Sequence, residues 1–474
     1  MTEQSQVAAP AGAAEPAVQR SPRLILMILS LAGFMGALDL FIVNVAFDQI
    51  AQGFGGSSTA NVSWVLNGYA IIFAALLVPL GRLSDKIGRK NMFLAGLAVF
   101  TLASAACAAA PGLWWLVGFR LVQAAGAAAL TPTSLGLLIA SAAPGKRMLY
   151  VRVWSTVSTV AAAAGPVLGG LLVTASWRWV FLVNLPVGII AYIAAHRVVP
   201  DSRDAAVTKI PDLTGAALLT VGVGALALAI VKGGDWGWGS GTTIASFVVA
   251  AVLLAWFAWR AEHHPVPVVD PALYRVRTFA AANIALLAFS LGLAAYLLMI
   301  ILWLQNVWHW STLATGFGVA PGPAMVPVIA VLTQRLSGKV QAGILTCAGC
   351  ALFGAAAVLN LALLGAHGSS YPAHLLPAQL VAGLGIGLAL PTLMGAATAG
   401  LPPHRASTGS GVVNMTRQIG YVLGVAIVVA LLGTPVSYAA AHSAFGHGWW
   451  MIAVVELVAA VACLGLLRPR ASAG

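Results

Sequence analysis

Predominantly apolar runs of about 18 or more residues recur from Leu24 to Leu467, and a run of that length covers the roughly 30 Å hydrocarbon core of a bilayer as a helix. A soluble chain of this size would need several polar-faced layers instead. Here 60% of residues are hydrophobic and 8% charged, against about 25% charged in soluble domains, and the mean hydropathy is +0.94. The runs are the architecture. They fall near 24–47, 62–80, 91–110, 113–140, 149–175, 178–198, 213–231, 242–260, 278–303, 312–333, 340–365, 372–397, 408–432 and 447–467, which predicts an all-α integral membrane protein with fourteen transmembrane helices, spans 1 to 14.

The net charge of +12 would raise nucleic-acid binding in a soluble protein. Position argues otherwise. With both termini placed in the cytoplasm, twenty of the 24 Lys and Arg residues fall on the cytoplasmic side, only Arg178 and Lys232 fall outside, and Arg120 and Arg417 lie within spans. That bias is the one that orients membrane helices. No nucleic-acid partner is expected.

Cys107, Cys347, Cys350 and Cys463 all lie inside apolar runs, where neither a disulfide framework nor a polar metal site is expected. Cys347 and Cys350 have the spacing of a zinc half-site, but no second ligand pair accompanies them. Residues 1–23, rich in Ala, Pro and Gln, read as a disordered cytoplasmic stretch rather than a signal peptide. Loops are short, the longest being around Asp201 to Lys209 and Glu262 to Arg277. The sequence thus argues against a membrane enzyme. There is no GxxxxGK[ST] segment, so transport has to draw on an ion gradient or a partner subunit. Gly383, Gly385 and Gly387 mimic a dinucleotide loop, but inside an apolar run they read as sites of close helix packing. No cofactor is expected.

The loop after span 2 reads GRLSDKIGRK, Gly81 to Lys90, and the loop after span 10 reads QRLSGKVQAG, Gln334 to Gly343. Arg82, Leu83, Ser84 and Lys86 match Arg335, Leu336, Ser337 and Lys339 without gaps, displaced by eight spans. The spacing implies two six-helix halves with two extra helices between them. The boundaries follow: N-terminal half 24–198, a linker with the extra pair at 199–277, C-terminal half 278–467, and a cytoplasmic tail at 468–474.

The first of these loops resembles the cytoplasmic motif of the major facilitator superfamily, and the rest of the chain resembles its fourteen-span drug:proton antiporter branch. LDLFIVNVA (Leu38 to Ala46), RLVQAAGAA (Arg120 to Ala128) and GPVLGG (Gly165 to Gly170) are similar to motifs of that branch's first, fourth and fifth spans. WRWVFLVNLPVG (Trp177 to Gly188) and NMTRQIGYVLGVA (Asn414 to Ala426) resemble its sixth and thirteenth spans. Two positions depart from the pattern. Gly338 stands where the first half has Asp85, and span 13 carries no carboxylate, so cation specificity does not carry over.

A charge at the bilayer centre costs roughly 2.5 to 3.5 kcal/mol on insertion scales, so ionisable residues within spans are functional candidates. There are four: Asp39 in span 1, Arg120 in span 4, Arg417 in span 13 and Glu456 in span 14. At about 1.5 Å per residue, Asp39 lies roughly 22 Å from one face and Arg120 roughly 10 to 12 Å from the other. Their depths are similar, so they can meet. The guanidinium would favour the charged carboxylate and loss of water would oppose it, and that balance sets its protonation. Asp39 is then the candidate proton carrier, tuned by Arg120 and Gln123; a buried structural pair is the other reading. One proton crossing about 100 mV supplies roughly 2.3 kcal/mol and half a pH unit about 0.7, enough for roughly a 100-fold gradient of neutral cargo. Glu456 is a further proton candidate, or a lipid-facing acid on an outer helix, and its depth permits contact with Arg417.

By the resemblance, Gly81, Asp85, Gly88 and Arg89 form a conformational gate that shuts the cytoplasmic side through charge contacts and a helix terminus; a solvated basic hairpin is the other reading. Gly165, Pro166, Gly169 and Gly170 combine small residues with a helix breaker, suiting close packing and an antiporter hinge. Candidate substrate contacts are Asn44, Trp64, Asn67, Tyr69, Tyr296, Gln305, Asn414 and Arg417. Trp114, Trp115, Trp236, Trp238, Trp449 and Trp450, near run ends, read as interface anchors. The implied function is export of small lipophilic compounds in exchange for protons by a monomer of the bacterial inner membrane. A transporter dedicated to one metabolite and a non-transporting membrane sensor remain as alternatives.

Overall fold

A computed structural model of the chain describes residues 22–142, 146–203, 211–336, 339–364, 370–433 and 437–467. The expectations for residues 1–21, Lys209, Ser337, Gly338 and the tail 468–474 lie outside the described residues.

Lipid offers no partner to a free amide, so each run closes its backbone hydrogen bonds within itself as a helix. Among the described residues there are fourteen such helices: Pro22–Val45, Thr59–Ile87, Arg89–Ala108, Leu113–Ser141, Leu149–Val173, Trp179–Val198, Leu213–Trp236, Gly241–His263, Arg277–Val307, Thr312–Leu336, Ala342–Leu363, Leu376–Ala399, Thr408–Leu432 and Tyr438–Leu466. No strand occurs among the described residues. On the face opposite the basic loops, serine side chains start four of them: Ser58, Ser240, Ser311 and Ser437 accept from the backbone N–H three residues on. That last cap corrects the start of span 14, which begins nine residues before the expected 447. The stretch from Tyr438 looks too polar to sit in lipid, yet it forms the outer turns of the same helix.

The two halves repeat one packing scheme. In the first, span 1 packs on 4, 5 and 6, span 4 on 2 and 3, and span 3 on 6; in the second the same pairings recur eight spans on, as 9 on 12, 13 and 14, 12 on 10 and 11, and 11 on 14. The halves meet along two seams that obey the same exchange, span 2 against 13 and span 5 against 10. Span 7 lies against both 2 and 13, so it covers one seam, with span 8 packed on its far side. Burial follows this order. The apolar stretch of span 2 is 83% buried and that of span 8 only 11%, with Trp256 and Trp259 of span 8 turned outward.

Glycines set the closest approaches. A Cβ on Gly385 would stand 2.7 Å from the Gly349 carbonyl of span 11, and one on Gly387 2.6 Å from Ile329 of span 10, so these glycines are packing sites. Of the six tryptophans expected at the interfaces, Trp114, Trp115, Trp236, Trp238 and Trp450 are exposed, but Trp449 is buried against Tyr296 inside the second half.

Candidate functional site

Asp39 sits on span 1, completely buried, and three side chains from two other helices converge on its carboxylate. Arg120 Nη1 donates to Oδ2 at 2.6 Å, while Gln123 Nε2 and Asn184 Nδ2 donate to Oδ1 at 2.9 and 3.1 Å. Arg120 and Gln123 are one helical turn apart on span 4, which aims both at the same point. Arg120 Nη1 also donates to Gln123 Oε1 at 2.7 Å, and Arg120 Nε to the Val65 carbonyl of span 2 at 3.2 Å. Gln123 Nε2 in turn reaches Ser104 Oγ of span 3 at 2.7 Å. The Arg120 guanidinium lies 4.0 Å from the ring centre of Tyr69 and 5.7 Å from that of Phe181. Five of the six helices of the first half thus contribute to one buried ion pair. Desolvating two charges is costly, and only complete hydrogen bonding of this kind recovers the cost.

The cluster adjoins a cavity of about 40 Å³ where the halves meet, walled by spans 1, 2, 4, 9 and 13. That is room for about three waters at some 10 to 15 Å³ each, so the halves must part before an organic molecule fits. Arg120, Asn44 and Asn67 are its polar lining; Leu40, Phe41, Leu66, Leu297, Tyr421 and Val425 make most of the rest. Both polar atoms of the Asn67 amide are buried without a partner. A ligand entering here would meet an apolar wall with one idle donor and one idle acceptor.

Of the expected substrate contacts, Asn44 and Asn67 alone line this cavity. Tyr69 instead stacks on Arg120. Trp64 is half-buried against the apolar core. Tyr296 lies within the second half, its ring 5.1 Å from Phe353 and 5.6 Å from Trp449. Gln305 crosses the halves near the Val45 end of span 1, donating to the Val45 carbonyl at 3.2 Å. Asn414 bonds back to Ser410 of its own helix at 3.0 Å, and Arg417 points at Met394 Sδ, 3.9 Å away, one turn short of the wall.

The expected gate loop, Gly81 to Lys90, holds an ion pair of its own. Asp85 pairs with Arg89 in its own segment at 2.7 Å. Arg89 lies against Gly136 of span 4 and its backbone N–H donates to Ser202 O of the linker at 2.9 Å, so Asp85 and Arg89 tie the first half to its own helices and to the start of the linker. Gly88, at φ +113°, makes the turn between spans 2 and 3 beside Asp201 and Arg203, where a side chain would be both strained and crowded. Gly81 gives span 2 its approach to Pro132. Arg82 of this loop reaches across the halves, its Nη2 donating to Thr408 Oγ1 at 3.4 Å. The glycines of span 5 serve two neighbours: a Cβ on Gly165 or Gly169 would stand 2.8 Å from Phe41 or from the Ile42 carbonyl of span 1, while Gly170 and Pro166 abut Thr312 and Gly316 of span 10 in the other half.

The Major Facilitator Superfamily profile matches residues 29–425. The chain belongs to the major facilitator superfamily. It is therefore a membrane transporter and not an enzyme. This superfamily member is 32% identical to the methylenomycin A resistance protein of Streptomyces coelicolor, covering 90% of this chain and 92% of that one. It is 31% identical to a cephamycin export protein of Amycolatopsis lactamdurans over 94% and 92% of the two chains, and 32% identical to a multidrug resistance protein of Mycobacterium tuberculosis over 88% and 76%. Its fold matches a POT family transporter in complex with a thioalcohol-conjugated peptide, with a TM-score of 0.69 over 94% of this chain and 96% of that one at 14% identity.

Within this superfamily fold Glu456 does not face lipid, as one reading of an outer helix allowed. It is fully buried against Gly292 of span 9 and Gly354 of span 11, and it forms no ion pair with Arg417. Sequence reasoning missed Asn184, Ser104 and the Val65 carbonyl. Asn184 is an amide inside an otherwise apolar motif and carried a signal; Ser104, one small polar residue among alanines, carried none.

Proposed function

We propose that this transporter exports small lipophilic antibiotics from a bacterial cell across its inner membrane in exchange for protons, with Asp39 as the proton carrier. The observation that supports this is the Asp39, Arg120, Gln123 and Asn184 cluster, which reaches the cavity between the halves through Arg120. With the cavity open outward, a proton from outer water binds the Asp39 carboxylate. Arg120 then loses its counter-charge but keeps Tyr69, Phe181 and the Val65 carbonyl as partners, so it stays housed at the cavity edge. The change in charge beside the cargo favours its release and the switch of access. When the cavity opens inward, the proton leaves to the cytoplasm, the ion pair re-forms and new cargo loads. The basic loops face the cytoplasm, with both termini on that side, and one chain holds both halves and acts as a monomer.

The experiment is uptake into everted vesicles, with and without a protonophore, after a susceptibility panel of methylenomycin A, cephamycin and tetracenomycin C on a pump-deficient host. Asp39→Asn is expected to abolish gradient-driven accumulation while leaving cargo binding. Wild-type accumulation by a well-expressed Asp39→Asn protein would remove Asp39 from the proton path. A transporter dedicated to one antibiotic is a second reading, favoured by relatives named for single compounds; resistance to one panel member alone would select it.

A further inference from the structure

The second half holds a buried acid that the central cavity does not use. Glu456 of span 14 is 0% exposed, and neither carboxyl oxygen has a hydrogen-bond partner. Its space is made by two glycines: a Cβ on Gly292 of span 9 would collide with Oε1, and one on Gly354 of span 11 would lie 3.2 Å from the Glu456 Cβ. The titratable groups nearest it are the thiols of Cys350 and Cys463, which touch each other toward the basic-loop face. No Lys or Arg pairs with it among the described residues. A carboxylate left charged and unpartnered in such a place is among the most costly arrangements in a membrane protein, whereas a carboxyl that gains and loses a proton there has a use.

Polar groups lead from it toward the face opposite the basic loops. Tyr296 is one turn beyond Gly292 on span 9, and its hydroxyl lies beside Asn360 of span 11 and 3.4 Å from the Ala378 carbonyl. The Asn360 amide has no hydrogen bond of its own, and neither do the indole N–H groups of Trp303 and Trp449 beside it. Asn360, Trp303 and Trp449 border a pocket of about 10 Å³, the size of one water, whose rim includes the exposed His442. Four unpaired polar atoms and a water-sized space therefore line the interval between an outer-face histidine and a mid-membrane acid, all within spans 9, 11 and 14.

We propose that Glu456 is a second proton carrier, loaded from the outer face through His442, Asn360 and Tyr296, so that each export cycle moves one proton through each half. The proton arrives from outer water, binds a Glu456 carboxylate oxygen, and leaves to the cytoplasm when the second half rearranges. This rests on the reading of Asp39 as the coupling site. The test uses purified protein in liposomes with the membrane potential clamped at zero and a pH difference of one unit, with methylenomycin A as first cargo or the panel compound that shows resistance. Two protons per cargo hold a gradient of about 100-fold, and one proton about 10-fold. The wild type is expected near 100-fold and Glu456→Gln near 10-fold. Asn360→Leu should still reach about 100-fold, only several-fold more slowly. A wild type that levels off near 10-fold overturns the proposal even if Glu456→Gln fails to reach the membrane, and so does a Glu456→Gln protein that matches a 100-fold wild type. Accumulation by Asp39→Asn would instead overturn the reading of Asp39, a separate outcome.

Discussion

Asp39 accepts three hydrogen bonds where no water reaches, and Arg120 would be a bare cation without it. Breaking one side of such a pair costs about 3–5 kcal/mol, whereas replacing both sides by apolar groups is often neutral. Arg120→Leu is accordingly expected to lower the unfolding temperature in detergent, and Asp39→Leu with Arg120→Leu to recover it without recovering transport. A double variant as unstable as Arg120→Leu alone would show that the cost is lost packing on Tyr69. The charged members were legible in the sequence because an ionisable residue in an apolar run has few bland explanations. Tyr69 was legible only as a polar aromatic. Its place under Arg120 depends on how span 2 is rotated against span 4, which nothing local specifies.

At the scale of the helix, glycine position decides what a span can touch. Gly170 faces span 10 across the halves, where a Cβ would stand 2.9 Å from the Thr312 carbonyl, whereas Gly224 of span 7 has open space around it. Gly170→Leu is expected to hold the seam between spans 5 and 10 apart, cutting transport at least tenfold with normal membrane insertion, and Gly224→Leu to transport normally. Equal transport by the two variants would remove the seam from the mechanism. Asp85→Asn frees Arg89 from its partner and loosens the first half's own cytoplasmic end. It should slow transport while cargo affinity, read by fluorescence quenching, stays within about twofold; equal loss of both would count against a gate role. The motif was readable in the chain, but the wiring of the gate was not. Arg82 and Thr408 are 326 residues apart and meet only because span 2 packs on span 13.

For the whole molecule, the placement of basic loops sets a topology that labelling can check. In a background without Cys107, Cys347, Cys350 and Cys463, an impermeant maleimide added to intact cells should label Gln52→Cys and spare Arg147→Cys, both at exposed positions; the reverse pattern would invert the orientation. Fourteen spans, their order and the repeat after eight of them were determined by the sequence alone, because hydrophobic length and loop charge are local properties that lipid reads one helix at a time. Tertiary structure decided which polar groups meet: Asn184 on Asp39, Tyr69 under Arg120, and Glu456 turned inward between Gly292 and Gly354. The physical reason is that a bilayer rewards any apolar helix face equally. The rotation of each helix is therefore set by the close contacts and buried hydrogen bonds it makes with its neighbours, and these join residues far apart in the chain.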